Sequence, residues 1–268
     1  MVTVSNIVSY LQTIAPPALA ESYDNVGLLI GDENKEVHKI LVALDVDEAV
    51  AKEAKELGAD MIVSHHPLLF KPLYRITSDD AVSKTAMALI KHDIALFAMH
   101  TNLDSVSFGL CDLFLDKIAK TKHRAPIEGD GENGIGRFAK LECAVSLKDM
   151  LRHIEQTFSL HTVRYVGDED IILSRIAVCN GSGADYIYQA KAMGADCYIS
   201  GDIKYHHARF SYENHMALIE IPHYAAEKIF IPYAVEKLTR QFGEQISVAS
   251  SKENIDVWKE WSDTASLK

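Results

Sequence analysis

The sequence predicts an α/β protein of two related lobes, an internal pseudo-repeat, each lobe a mixed sheet covered by helices, with one cleft between them. Three observations predict it. Short apolar runs alternate with amphipathic helical ones, the first half of the chain recurs in the second, and histidines and carboxylates stand just after the predicted strands.

The elements follow in chain order. Ile7, Val8, Leu11 and Ile14 fall at helical spacing and predict a first helix. Ala18-Leu19-Ala20 resembles a signal-peptidase site. No charged stretch precedes it, and Asn6, Gln12, Pro16 and Pro17 interrupt the apolar run, so no secretory leader is expected. Residues 40–45 read as a buried strand. Residues 47–57 place Ala49, Val50, Ala54 and Leu57 on one helical face, and Gly58 reads as the cap that ends it. Met61-Ile62-Val63 predicts the next strand, 79–91 a helix, and Ile94 to Met99 a further strand. This β-α-β order with near-continuous apolar strands is the signature of a parallel or mixed sheet covered by helices. The glycine-rich, charged stretch 119–136 reads as a mobile loop or lobe boundary. Residues 147–158 predict an amphipathic helix and 171–179 a strand. The polar tail from about 250, with two tryptophans, predicts a short helix and a frayed end.

The repeat is specific. Gly58-Ala59-Asp60, three strand residues and Ser64 match Gly194-Ala195-Asp196, three strand residues and Ser200, at an offset of 136. The strand 40–45 matches the one ending at Asn180-Gly181 at the same offset. Then His100 and Asp104 match His223 and Glu227, at an offset of 123. We read a first lobe over 1–125 and a second over 126–268, the first being open to completion by the C-terminal segment. Catalytic groups in open α/β sheets gather at the carboxyl ends of strands, so two facing halves would bring these residues to one cleft.

Composition narrows the function. Acidic side chains number 38 against 27 basic ones, for a net charge of −11. That disfavours nucleic acid, whose binding rests on Lys and Arg, and would concentrate divalent cations. Hydrophobic residues at 48% exclude wholesale disorder. No apolar run reaches 18 residues, so no membrane span is expected. The four cysteines, Cys111, Cys143, Cys179 and Cys197, form no CxxC pair and read as buried reduced thiols of a cytoplasmic protein. Histidine, at 12 in 268, is about double common usage.

His65, His66, Asp104, His223 and Glu227 form a mixed nitrogen and oxygen set without thiolate, which suits zinc, iron, manganese or nickel. His223 and Glu227 are one helical turn apart, and a carboxylate can bridge two cations. Five residues are too few to saturate two metals, so open positions would take water, as catalytic sites require. His100 is a further ligand or a nearby acid/base. Asp202 and His206 are the other catalytic candidates, and His207 is expected to line the same cleft. Arg137 and Lys204 are candidates for substrate phosphate. A phosphate cradle at Gly134-Ile-Gly-Arg137 reads more simply as a turn. His38, His92, His123, His153, His161 and His215 read as surface or core histidines. No G-x-S-x-G elbow, P-loop or dinucleotide fingerprint occurs.

These residues resemble the NIF-three-like family, also called GTP cyclohydrolase I type 2 homologs. The motifs are Ser22-Tyr-Asp24-Asn25-Val-Gly27-Leu-Leu-Ile-Gly31, Ser64-His65-His66-Pro67-Leu-Leu-Phe70, His100-Thr-Asn-Leu-Asp104, Gly134-Ile-Gly136-Arg137, Asn180-Gly181-Ser182-Gly183, Gly194-Ala-Asp196, Gly201-Asp202-Ile-Lys204-Tyr-His206 and His223-Tyr-Ala-Ala-Glu227. The resemblance implies a two-lobed fold around two divalent ions held by His65, His66, Asp104, His223 and Glu227, with Glu227 bridging. It also implies a cytoplasmic hexamer, a trimer of dimers, acting on a small nucleotide-like or heterocyclic substrate as a metal-dependent hydrolase. The competing expectation is a non-catalytic metal-handling or regulator-binding protein. Pro222 and Ala226 depart from the family pattern, which commonly has Gly before the last motif and Thr before its Glu.

Overall fold

The computed structural model describes residues 1–253, 256–259 and 261. Helix α1 (Val4–Ile14) begins at Thr3, whose side chain accepts from Asn6 N while Asn6 reciprocates, and it buries Ile7, Val8 and Leu11. There follow β1 (Gly27–Ile30), β2 (Lys39–Ala43), α2 (Glu48–Leu57), β3 (Met61–Ser64), α3 (Ala81–Lys91) and β4 (Ala95–Ala98). Gly58 caps α2 at φ +64, a conformation that a Cβ would strain. Short α4 (Thr101–Ser105) and α5 (Leu110–Ile118) lead out of this region.

The stretch 119–136, expected as a mobile loop or lobe boundary, is built largely of strands. It holds β5 (Thr121–Ala125) and a hairpin of β6 (Glu128–Asp130) and β7 (Asn133–Ile135). Next come β8 (Arg137–Ser146), α6 (Leu147–Phe158), β9 (Arg164–Val166), β10 (Ile172–Val178), α7 (Ile187–Ala192), β11 (Cys197–Ser200), α8 (Tyr205–Glu213), β12 (Ala217–Glu220), α9 (His223–Glu227), α10 (Phe230–Phe242) and β13 (Ser247–Ser250). Beyond β13 the described residues form no helix, and the rest of the expected tail helix lies outside them.

Two mixed sheets dominate. The first runs β1-β4-β3-β2-β13, parallel except for β1. Its last strand, β13, returns from the C-terminus to pair with β2. The second runs β5-β8-β10-β11-β12-β9, with β10, β11 and β12 parallel. Both central trios therefore have the same order, and each third strand carries an antiparallel neighbour, β1 or β9.

Each sheet is buried on both faces, which explains the continuous apolar runs. Ile40, Val42, Met61, Val63, Ala95 and Phe97 pack with residues of α1 and α10, while Leu41, Ala43, Ile62 and Leu96 pack with α2 and α3. Ile176, Val178, Ile199 and Ile219 pack with α5 and α6, while Ala177, Tyr198 and Leu218 pack with α7 and α8. Cys111, Cys179 and Cys197 are buried free thiols as expected, but Cys143 is exposed.

The repeated Gly-Ala-Asp does the same job twice. Asp60 Oδ2 accepts from His38 N at 2.7 Å and Lys39 N at 3.1 Å, where β2 begins. Asp196 Oδ2 accepts from Ser174 N at 3.0 Å and Arg175 N at 2.9 Å, the positions 136 residues on. Each carboxylate, standing just before one parallel strand, thus holds two backbone amides of its neighbour. Losing charged hydrogen bonds of this kind costs about 1–3 kcal/mol. Asp60→Ala and Asp196→Ala should each lower unfolding free energy by about that amount in urea titrations; a loss from one and none from the other would contradict the shared role.

Candidate metal centre

The histidines of the cluster stand just after the carboxyl ends of parallel strands. His65 and His66 follow β3, His100 follows β4, Asn180 and Gly181 follow β10, Gly201 and Asp202 follow β11, and His223 follows β12. Asp104 and Glu227 sit four residues after His100 and His223, at the far ends of α4 and α9. Pro222 caps α9, and its carbonyl accepts from Ala226 N at 3.0 Å. Ala226 is wholly buried in apolar core. Both departures from the family motif thus leave His223 and Glu227 on one helix face, with Nε2 and Oε2 2.8 Å apart.

The imidazoles are pinned by their Nδ1 atoms. His65 Nδ1–H donates to Met99 O at 2.7 Å, and His66 Nδ1–H to Asp45 Oδ1 at 2.7 Å. His100 Nδ1–H donates to Asp24 Oδ1 at 2.8 Å, and His223 Nδ1–H to Asp202 Oδ2 at 2.9 Å. Four acceptors therefore direct four Nε2 atoms inward, the arrangement that prepares imidazole for a metal.

The Nε2 atoms converge on the carboxylates. Glu227 Oε2 lies 2.8 Å from His66 Nε2, and those of His66 and His223 are 3.4 Å apart. His65 Nε2 is buried with no hydrogen-bond partner, 3.8 Å from Glu227 Oε1 and 3.9 Å from Asp104 Oδ1. Two groups place their ligand atoms within 4.8 Å of one another: His65, His66 and His100, and His66, His223 and Glu227. A partnerless buried nitrogen between carboxylate oxygens fits a divalent cation, so this His/Glu cluster could hold one. Gly181, at φ +57, backs onto the cluster; a Cβ there would lie 1.9 Å from Glu227 Oε1.

The electrostatics follow from burial and pairing. Burial alone would raise Glu227, but His65, His223 and His66 hold its pKa well below the usual carboxylate range. Burial opposes the charge on His66, yet Asp45 and Glu227 raise its pKa to about 10. His223, likewise opposed by burial, is raised to about 9 by Glu227 and Asp202. Burial pushes Asp104 up. Asp24, though burial works against it, is lowered to about 2 by His100 and Thr101, and so stays a carboxylate.

The other expected site residues divide. Arg137 is a correction. It is 2% exposed and donates to Asp112 Oδ2 at 2.7 Å and to the carbonyls of Gly134, Gly136, Ser105 and Val106, so all five of its N–H donors are engaged and none is left for a substrate phosphate. His207 turns away as well, its Nδ1 accepting from Lys204 N and its Nε2–H donating to Asp185. Lys204 and His206 are exposed at the start of α8, with the His206 ring edge-on to Tyr205. Asp202 reaches the cluster through His223. The sequence reading missed Asp24, Asp45 and Asn180 as partners of the cluster. Asp24 and Asn180 were visible only as motif members, and Asp45 only as the residue ending a strand.

Comparisons with known proteins identify the family and the fold. A family model described as Duf34/NIF3 (NGG1p interacting factor 3) matches residues 2–256. A Clostridium perfringens protein named GTP cyclohydrolase 1 type 2 homolog is 37% identical over 256 residues, covering 94% of this chain and 97% of its own. Drosophila melanogaster NIF3-like protein 1 is 31% identical, covering 93% and 86%. The crystal structure of a Staphylococcus aureus hypothetical protein superposes with a TM-score of 0.88 at 31% identity, over 97% of this chain and 99% of that one.

Protons on His66 and His223 must leave before their Nε2 atoms can bind a cation. Zinc uptake at pH 7 should therefore release about two protons per chain, falling toward none as pH rises past 10, in calorimetric titrations across buffers of different ionisation enthalpy. Uptake at pH 7 without proton release would contradict the pairing described.

Proposed function

The chain belongs to the Duf34/NIF3 family, and from that premise we propose that it is a metal-dependent hydrolase with a dinuclear divalent-metal centre, acting on a small nucleotide-like or heterocyclic substrate. The carrying observation is the convergence of pinned imidazoles on Glu227, with His65 Nε2 left as a buried nitrogen without a partner. His65, His66, Asp104, His223 and Glu227 would hold the ions, Glu227 using one oxygen toward His66 and His223 and the other toward His65. Zinc, iron, manganese and nickel all suit this donor set. When bound, two such ions supply Lewis acidity that activates water and neutralises charge developing on the leaving group.

The remaining work falls to the chain. Asp45, Asp202 and the Met99 carbonyl keep each ligand ring oriented. Asp24 holds His100 with its Nε2 free, within 4.8 Å of the ligand atoms of His65 and His66. In this reading His100 is the base that takes a proton from water and returns it to a leaving nitrogen or oxygen. Asp202 is fixed to His223 and can polarise it. Lys204 and His206, exposed beside Asp202, are assigned to substrate phosphate and proton transfer. The same reading takes the protein as a cytoplasmic homohexamer, a trimer of dimers. Among the described residues, no helix is long and apolar enough to cross a membrane.

The test is turnover. Metal-loaded protein should hydrolyse a member of a panel of nucleotides and phosphoesters. Glu227→Ala should lower the rate at least ~100-fold, as should chelation. Turnover that survives loss of the metals would sink the hydrolase mechanism. Two tightly held metals with no turnover across the panel would favour the non-catalytic metal-handling reading. In solution, light scattering should give six times the chain mass; a monomer would contradict the hexamer.

A further inference from the structure

Asn180 lies where the carboxylates of the two halves meet. It is 4% exposed, and its side-chain amide donates to Asp104 Oδ1 at 2.8 Å and to Glu227 Oε1 at 3.1 Å. Asp104 comes from the first half, on α4, and Glu227 from the second, on α9. The Asn180 carbonyl accepts from the wholly buried thiol of Cys111 at 2.9 Å, on α5. Only one orientation of the amide satisfies these partners. Carboxylates only accept, so the NH2 must face them, and the thiol must donate to the oxygen.

The two oxygens that Asn180 holds are the same two that face the partnerless His65 Nε2, at 3.9 and 3.8 Å. One amide therefore aims an oxygen from each half at one nitrogen. It does so without charge. A lysine or arginine here would compete with a cation for the carboxylates, and a third carboxylate would add repulsion in a buried site. Gly181 next to it makes the close approach possible, since any side chain there would collide with Glu227 Oε1.

We infer that Asn180 is a positioning residue of the metal centre, setting Asp104 and Glu227 around His65, with the Cys111 thiol fixing its amide. The inference rests on the metal-binding reading above. Residues that orient ligands in this way typically contribute about 10–100-fold to metal affinity.

Cobalt(II) is a suitable probe, because its visible absorption bands report ligand geometry independently of turnover. Metal-free protein should bind cobalt and develop those bands. Asn180→Leu, similar in volume and without donors, should bind about 10–100-fold more weakly with displaced bands. Cys111→Ala should shift affinity and bands the same way by a smaller amount, and Cys111→Ser, which restores a donor, should return both toward the parent protein. If Asn180→Leu fails to fold, the Cys111 pair carries the test. Variants that melt at lower temperature yet bind cobalt with the parent affinity and spectrum would overturn the inference and leave Asn180 a purely structural residue. A parent protein that binds no cobalt would overturn the metal-centre reading and this inference with it.

Discussion

Two buried carboxylates, Asp104 and Glu227, set the terms for the rest of the structure. A buried negative charge is stable only where donors or cations surround it, and removing one partner of such a pair costs about 3–5 kcal/mol. Here the surround is assembled from both sheets. His65 and His66 come from the end of β3, Asn180 from the end of β10, and His223 from the end of β12. The strand ends must meet for the charges to be tolerated at all. The carboxylates thus serve the fold and the site through one set of contacts. The imidazoles outweigh the burial of Glu227 and hold its pKa below the usual carboxylate range.

The two halves share a backbone plan but not a ligand set. At the position matching His65-His66, the second half has Gly201-Asp202, 136 residues on. Gly201 packs against backbone, where a Cβ would lie 2.6 Å from Gly181 O. Asp202 becomes the acceptor that orients His223. Conversely, Asp45 orients His66 while its counterpart, Gly181, clears space for Glu227. Each half supplies what the other omits. The His/Glu cluster therefore draws on both sheets at one place.

Most of the sheet cores was legible in the sequence, because strands buried on both faces must be apolar throughout. The helix over 147–158 and the cap at Gly58 were legible for equally local reasons. Edge elements were not. β5 is polar because it lies at an edge, β6 and β7 are short hairpin strands with a glycine each, and β13 carries only Val248 and Ala249 as apolar residues. Within the site, the histidines placed directly after strands could be read from spacing. The partners Asp24, Asp45 and Asn180 could not, even where they too follow a strand, because their roles arise from contacts across 21 to 76 residues of chain. Arg137 misled for a related reason. A lone arginine beside glycines suggests an anion site, and only tertiary structure shows Asp112 and four carbonyls already occupying it.

The proposed dinuclear metal centre can be seen or refuted by anomalous diffraction from crystals grown with a divalent transition metal, recorded on both sides of that metal's absorption edge. Two anomalous peaks per chain are expected, both beside Glu227, one also against His65 and Asp104 and the other against His66 and His223. A cluster without a peak, or metal bound only elsewhere on the chain, would contradict the proposed centre.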